Sequence, residues 1–509
     1  MDETERALIS NARNHKARAL KAALLRLLDK KEEALAWIQE SYRVDRFNYG
    51  CMFEEHLLSK SDQPLEHLKK LMHCNVYNYH ELALDYAQAG LWQECIGVLQ
   101  LGNDVQQHPL TYYYMGWAQF SLGDPVEANA AFEQAEKVTT DYCFPNRLED
   151  VVALSLAKTM NPDGARAPYY LGCLYYDKRQ YDLAIENWEM AARLNPLFPT
   201  VWRNLALARF NKQDRQQEAL QYMEKAFELD TTDARMLMEL DQLYRRMQKP
   251  HQLRLDHLQK YPELIRQRDD LVLEEITLLN QLGRYEEAMQ KIDGHQFHPW
   301  EGGEGKVPAQ YQTARVELAK QALTQKEYER AARLLGECLE YPHHLGEGKL
   351  YGAQENDFYY FLGIAYEALG QAEKARECWE EATKGPQEPA AAMYYNDAKP
   401  DKIFYQGLAL QRLGRQDEAN GRFYRLVNYG KQHVFEHQVM DYFAVSLPDL
   451  LIWEDSLDRK NEIHCKYMLA LGYFGLGNRQ KAEQYLSEVE ALDINHQGIQ
   501  ALRTLMEIS

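Results

Sequence analysis

No apolar run in this chain approaches the ~18–20 residues that a membrane-spanning helix needs, so no transmembrane anchor is expected. None of its eight cysteines (Cys51, Cys74, Cys95, Cys143, Cys173, Cys338, Cys378, Cys465) forms a C-x-x-C pair. Several fall where helix packing is expected, which reads as buried free thiols in a reducing compartment. Positive charge is short: 58 Lys and Arg stand against 77 Asp and Glu, a net of −19. A nucleic-acid binder needs a basic face to displace counterions from phosphate, and an anionic membrane needs one too, so neither partner is expected. The excess acid serves solubility and lies downstream of the nearly neutral first 70 residues. The opening MDETERALISNARNHKARAL is charged from residue 2, with no secretory leader in it, and the expected location is the cytoplasm.

What the chain does have is length and periodicity. Its 509 residues would ordinarily make several globular domains, unless a stacked array carries them. Within Pro168–Pro196, Gly172 is followed three residues later by Tyr175, twelve later by Ala184, sixteen later by Trp188, nineteen later by Ala191 and twenty-four later by Pro196. A small residue admits close approach of two helices, the Ala marks their crossing, the bulky residue fills the groove and Pro ends the second helix. The offsets recur at Gly116/Ala128/Phe132/Ala135, Gly363/Tyr366/Ala375/Trp379/Ala382, Gly407/Ala419/Phe423 and Ala470/Tyr473/Ala482/Leu486. With one inserted residue they also fit Ala206/Ala219/Met223/Ala226. Leu-Gly pairs at 122–123, 282–283, 369–370, 413–414 and 476–477 mark the turns that close each first helix. This is tetratricopeptide spacing. The fold class it implies is an all-α tetratricopeptide-repeat superhelix, or solenoid, of about 9–11 helix pairs. Most of the 34 Tyr fall at repeat-core positions.

Regularity breaks down near residue 290, so the reading is a regular array over 1–290 that continues into a decorated array over 291–509. Function tends to sit where repeats are decorated. The long links are Gly294–Gln310, Tyr341–Asp357, Lys384–Lys402 and the region Tyr429–Asn461. Gly303-Glu304-Gly305-Lys306 matches Gly346-Glu347-Gly348-Lys349 at a spacing of 43, so the first two loops should lie side by side on one edge, with the third beside them. That edge would offer Trp300, His344, Tyr394, Tyr395 and Trp453 as flat surfaces. Glu304, Glu347, Asn356, Asp357, Asn396, Asp397 and Asp401 would be acceptors, with Lys306 and Lys349 completing the paired strings. Aromatic platforms with planar polar groups suit a peptide or a carbohydrate. The competing reading is that the loops only pack on one another.

Three catalytic readings fail on residue type or context. The GEGK strings lack the first Gly of a phosphate loop and the hydroxyl after its Lys, since Val307 and Leu350 follow. His433-Val434-Phe435-Glu436-His437 spells the inverted zinc-protease string, and on a helix its two His would share a face, but no third ligand follows. Asp449, Glu454, Asp455 and Asp458 could pair for glycoside cleavage only at a carboxyl separation that spacing cannot give. No catalytic residue, metal site or cofactor is therefore expected.

Beyond repeats, the strings RAPYYLGCLYYDKRQYDLAI, HPWEGGEGKV, HHLGEGKLYGAQEND, YYNDAKPDKIFYQGLAL and DYFAVSLPDLLIWEDSL resemble the C-terminal tails of a group of large bacterial proteins. In that group a β-rich, mutarotase-like domain of unknown function precedes a tetratricopeptide tail. The resemblance implies a piece of a larger protein linked to carbohydrate metabolism, with the β-rich half, and any activity residing there, absent from this chain. The expected function is a scaffold that holds a protein, its own β-rich domain or a second copy of itself. The alternative is an accessory module that binds carbohydrate.

Overall fold

The computed structural model describes residues 1–391, 397, 399–439 and 452–508, which are helical throughout, with no strand among them. Two units are formed, Met1–Ala208 and Arg209–Ser509. The first holds α1 (Asp2–Ser10), α2 (His15–Leu27), α3 (Lys31–Val44), α4 (Tyr49–Ser59), α5 (Gln63–Leu71), α6 (Val76–Gln88), α7 (Trp92–Val105), α8 (Pro109–Ser121), α9 (Pro125–Ala135), α10 (Leu148–Met160), α11 (Arg166–Asp177) and α12 (Tyr181–Leu194). The boundary falls inside α13 (Pro199–Gln213). The second unit continues with α14 (Gln216–Leu229), α15 (Ala234–Arg246), α16 (His251–Leu258), α17 (Pro262–Ile265), α18 (Asp269–Gln281), α19 (Tyr285–Asp293), α20 (Lys306–Thr324) and α21 (Tyr328–Glu337). It ends with α22 (Asn356–Ala368), α23 (Ala372–Ala382), α24 (Pro400–Arg412), α25 (Gln416–His433), α26 (Leu457–Gly475), α27 (Arg479–Leu492) and α28 (Gly498–Ile508). The change in loop length near residue 290 is not a unit boundary: α18 and α19 both pack on α20, so the helix stack runs through it.

The recurring offsets have a direct physical meaning. A Cβ added to Gly172 would lie 2.4 Å from the Trp188 ring, and one on Gly363 would lie 2.2 Å from Trp379. Gly116 and Gly407 face Phe132 and Phe423 in the same way. The small residue of the first helix thus makes room for the bulky ring sixteen residues later. Ala128, Ala184, Ala375 and Ala419, at plus twelve, are buried at the crossing. The expected Leu-Gly turns all carry positive φ at Gly.

The first unit departs from simple pairing. α10 packs on both α8 and α11. It is held by Tyr114, which donates to the buried Asp150, and by Lys158 Nζ donating to Asn187 Oδ1 at 3.0 Å. Beside it, His80 is 2% exposed, with Nε2 2.7 Å from the Thr111 hydroxyl and His108 against its ring. Burial, with lesser contributions from His108 and Arg147, pushes the His80 pKa down to about 3. The unfolded chain takes up this proton near pH 6.5 and the native state does not, so the stability His80 confers is complete above that pH and lost as pH falls toward 3. We expect urea unfolding of the first unit to lose about 1 kcal/mol per pH unit between pH 6 and 4. The slope should flatten in His80→Gln, and an unchanged slope would show that His80 does not set it.

The second unit closes on itself. Its core runs from α20 to α28, with Phe361, Trp379, Phe404, Phe423 and Met468 inside. Two segments far along the chain then reach back to its first helices. Trp453 is 1% exposed; its ring meets Phe210 at 5.3 Å between centroids and its Nε1 donates to the Glu239 carbonyl at 2.8 Å. Its neighbours add Asn211 Nδ2 donating to the Ile452 carbonyl at 2.9 Å and Arg246 pairing with Asp455 at 2.5 Å. The turn after α27 places Asn495 against α15, α16 and α18. Asn495 Oδ1 accepts from Arg254 Nη1 at 3.0 Å, its Nδ2 donates to the Arg245 carbonyl at 3.3 Å, and its carbonyl accepts from Gln281 Nε2 at 2.7 Å. Trp453 is therefore a core residue and not the exposed platform the sequence implied, because its ring and its N–H are both used inside the fold.

Candidate functional site

The two GEGK loops do lie together, and backbone geometry explains why. Phe297 anchors the first loop in the core, and its N–H donates to the His344 carbonyl at 2.9 Å. Gly346 sits at φ +76°, where a Cβ would come 2.6 Å from the Phe297 carbonyl oxygen, so this crossing admits only glycine. Gly305, at φ +71°, caps α20, and its N–H donates to Glu347 Oε2 of the second loop at 2.8 Å. A carboxylate at that helix start meets unpaired N–H groups and the positive end of the helix dipole. The first loop is also tied to the start of α18. His295 Nε2 lies 2.7 Å from Asp269 Oδ1, and the His298 N–H donates to Asp269 Oδ2 at 2.7 Å. Against the upward push of burial, these contacts hold Asp269 below the ordinary carboxylate range.

Between the loops lies a cleft of about 320 Å³. Trp300 rests on Gly303, where a Cβ would come 2.2 Å from the indole, and its partly buried ring lines the cleft. Pro299, Val307 and Leu345 supply apolar wall; Glu301, Glu304 and Glu347 supply carboxylates; His298 stands at the margin. Burial raises the Glu347 carboxyl above its ordinary range, the Gly305 hydrogen bond opposes this, and the Glu304 charge adds to it.

Of the sequence-derived candidates, Trp300, Glu304 and Glu347 meet here. The others do not. Lys306 is exposed, and its charge acts on Glu274 of α18. His344 Nε2 lies 3.6 Å from Asp293. Lys349 folds back to donate to the Leu339 carbonyl at 2.9 Å and to pair with Glu355 at 2.6 Å. Asn356 is buried and closes α23, donating to the Ala382 and Lys384 carbonyls at 2.8 and 2.7 Å. Asp357 pairs with buried Lys402, and Asp401 lies 3.9 Å from the same ammonium. Burial alone would lower the Lys402 pKa, but these two carboxylates raise it. These acceptors are consumed by the fold and are not offered to a ligand. The third loop does touch the second, through Gln354 Nε2 donating to the Asp397 carbonyl at 3.5 Å. Tyr394, Tyr395 and Asn396 lie outside the described residues. Sequence reasoning missed Glu301, although it directly follows Pro299-Trp300 in the string already singled out.

The remaining motifs resolve into local pairs. α25 ends at His433, so His433 and His437 do not share a helical face; His433 pairs with Glu436, and His437 Nδ1 lies 2.9 Å from Asp458 Oδ2. Glu454 pairs with Lys212, and Asp455 with Arg246 and Lys460. Asp449 lies outside the described residues. Among the described residues no group of three or more His, Cys, Asp or Glu is arranged to hold a metal ion, and no helix is long and apolar enough to cross a membrane.

Models of the tetratricopeptide repeat match residues 111–137, 160–234 and 357–384. Among solved structures, the TPR domain of P58(IPK) is 13% identical over 79% of this chain and 99% of its own, with a TM-score of 0.22. The C-terminal part of a TPR repeat-containing protein from Cytophaga hutchinsonii is 17% identical over 52% and 94%, with a TM-score of 0.29. YrrB, described as a TPR protein with an unusual peptide-binding site, is 13% identical over 46% and 95%, with a TM-score of 0.18. With the matched repeats falling on helix pairs whose small and bulky residues interlock as described, the chain is an all-α tetratricopeptide-repeat solenoid, the architecture of a protein-interaction scaffold.

Proposed function

We propose that this chain is a non-catalytic scaffold and that it holds a segment of a protein partner in the cleft between its two GEGK loops. The observation that carries this reading is the Trp300 cleft: an aromatic floor, apolar walls and carboxylates built on a backbone crossing that only glycine permits. In the second unit the Trp453 and Asn495 segments already cover parts of α13, α15, α16 and α18, which favours a site on the loop edge. A pull-down from bacterial lysate with the intact chain and a Trp300→Ala, Glu304→Gln control tests it. A protein captured by the intact chain and lost with the control is the expected result, and equal capture by both removes the cleft from the interaction.

A second reading is supported by the same indole-and-carboxylate lining and by the resemblance to tails that follow a mutarotase-like domain: the cleft would hold a sugar, and the chain would be an accessory part of a larger carbohydrate-acting protein. Thermal shift of the chain by a panel of neutral mono- and disaccharides at millimolar concentration separates the two readings. A shift abolished by Trp300→Ala would favour sugar, and no shift leaves the protein-binding reading in place.

A further inference from the structure

We infer that the cleft between the GEGK loops is a receptor for a cationic side chain, the lysine or arginine of a partner's segment, seated with its stem on Trp300 and its charged head among Glu301, Glu304 and Glu347. This deepens the scaffold reading and rests on it. Three observations combine. The wall carries three carboxylates and neither Lys nor Arg, so its charge is uncompensated from within. The one lysine in the string that builds the loop, Lys306, is not among the lining residues and its charge acts on Glu274 of α18, and the paired Lys349 is held by Leu339 and Glu355. The lining is otherwise apolar and aromatic, matching a long aliphatic stem that ends in a charge, and an indole attracts a cation over its face. A neutral apolar side chain would bring no positive charge to the exposed Glu301 and Glu304 or to Glu347, whose one carboxylate oxygen already accepts from the Gly305 N–H. An acidic one would meet direct repulsion.

Such a receptor has a pH signature. Burial and the Glu304 charge bias Glu347 toward its protonated form. A bound cation favours the ionised form, so binding must expel a proton wherever Glu347 is protonated. Affinity is therefore highest above the raised Glu347 range and falls as pH drops through it, at a higher pH than an exposed glutamate would give.

The test uses blocked pentapeptides, Ac-Ala-Ala-X-Ala-Ala-NH2, with X as lysine, arginine, norleucine or glutamate, titrated into the full chain and read by saturation-transfer NMR. Lysine or arginine peptides are expected to bind at least about tenfold more tightly than norleucine, a difference of about 1.4 kcal/mol. That preference should weaken with salt and with falling pH. Glu304→Gln and Glu347→Gln each keep their shape, and the amide oxygen of the second can still accept from Gly305, so both should fold while losing most of the preference. Norleucine binding as well as lysine, or a preference untouched by both Glu→Gln changes, overturns the inference. If a partner from lysate is still lost with Trp300→Ala, the scaffold reading survives that failure. If lysine peptides bind and no protein is captured, the receptor stands and the scaffold reading needs another occupant.

Discussion

Trp453→Ala is expected to lower the stability of the second unit by ~3–5 kcal/mol, whereas Trp300→Ala should cost less than ~1 kcal/mol. The two tryptophans look alike in sequence, each flanked by acidic and apolar residues in a long link. Their surroundings differ. Trp453 is 1% exposed, packs on Phe210 and gives its N–H to the Glu239 carbonyl. Truncation there removes a large buried side chain, opens a cavity and leaves the Glu239 carbonyl without that donor. It also frees a segment whose other ties, at Asn211, Lys212 and Arg246, are polar and partly exposed. Trp300 is only partly buried, lying on Gly303 and lining the cleft. Urea unfolding followed by far-UV circular dichroism measures both. Equal small effects would mean that the 452–455 segment does not hold the unit together.

The second large effect is expected at Arg254. Arg254 and Asp241 are both 0% exposed; the guanidinium takes both oxygens of Asp241, at 3.1 and 2.6 Å, bonds Glu274 and reaches Asn495 at 3.0 Å. Replacing it with Met keeps much of the volume but strips the fully buried Asp241 of its ion-pair partner and leaves Glu274 only the more distant Arg245, at 3.9 Å, and the Lys306 charge. Removing one partner of a buried ion pair costs ~3–5 kcal/mol, far more than an exposed pair contributes. The deficit has a predictable pH dependence. Burial and the Glu274 charge already hold Asp241 above its unfolded value against the pull of Arg254; without Arg254 it rises further, so the native state gains a proton on acidification. The stability of the variant is then highest below the unfolded carboxyl range and is lost as pH rises through the raised values. Arg254→Met should therefore lie closest to the parent near pH 5 and fall furthest behind near pH 8. A deficit independent of pH would point to lost packing instead of stranded charge.

Much of this molecule can be read along the chain. The pairing of helices follows from contacts twelve to nineteen residues apart, a range in which local turn chemistry and helical periodicity fix geometry: Gly172 could be matched to Trp188, and Gly363 to Trp379, without a structure. The pairing of the GEGK loops was legible for the same reason, since links at a spacing of 43 occupy equivalent places in neighbouring repeats. Residue roles within those loops were not legible. Asn356, Asp357 and Glu347 are all polar residues in long links, yet the first closes a helix, the second neutralises a buried lysine and only the third faces a cleft. Sequence shows which groups can hydrogen-bond; neighbours decide whether that capacity is already used.

By itself, then, the sequence determined the all-α repeat architecture, the helix-pair contacts and the place where the loops meet, because each depends on residues close along the chain. The tertiary structure alone decided that Trp453 is core, that Asn495 completes the shell of Arg254, and that Trp300, Glu304 and Glu347 share one recess. Those outcomes join residues more than two hundred positions apart, or turn on a backbone crossing such as Phe297 over Gly346. Such contacts depend on how the whole stack is arranged, and no local pattern records where the stack will bring its distant segments together.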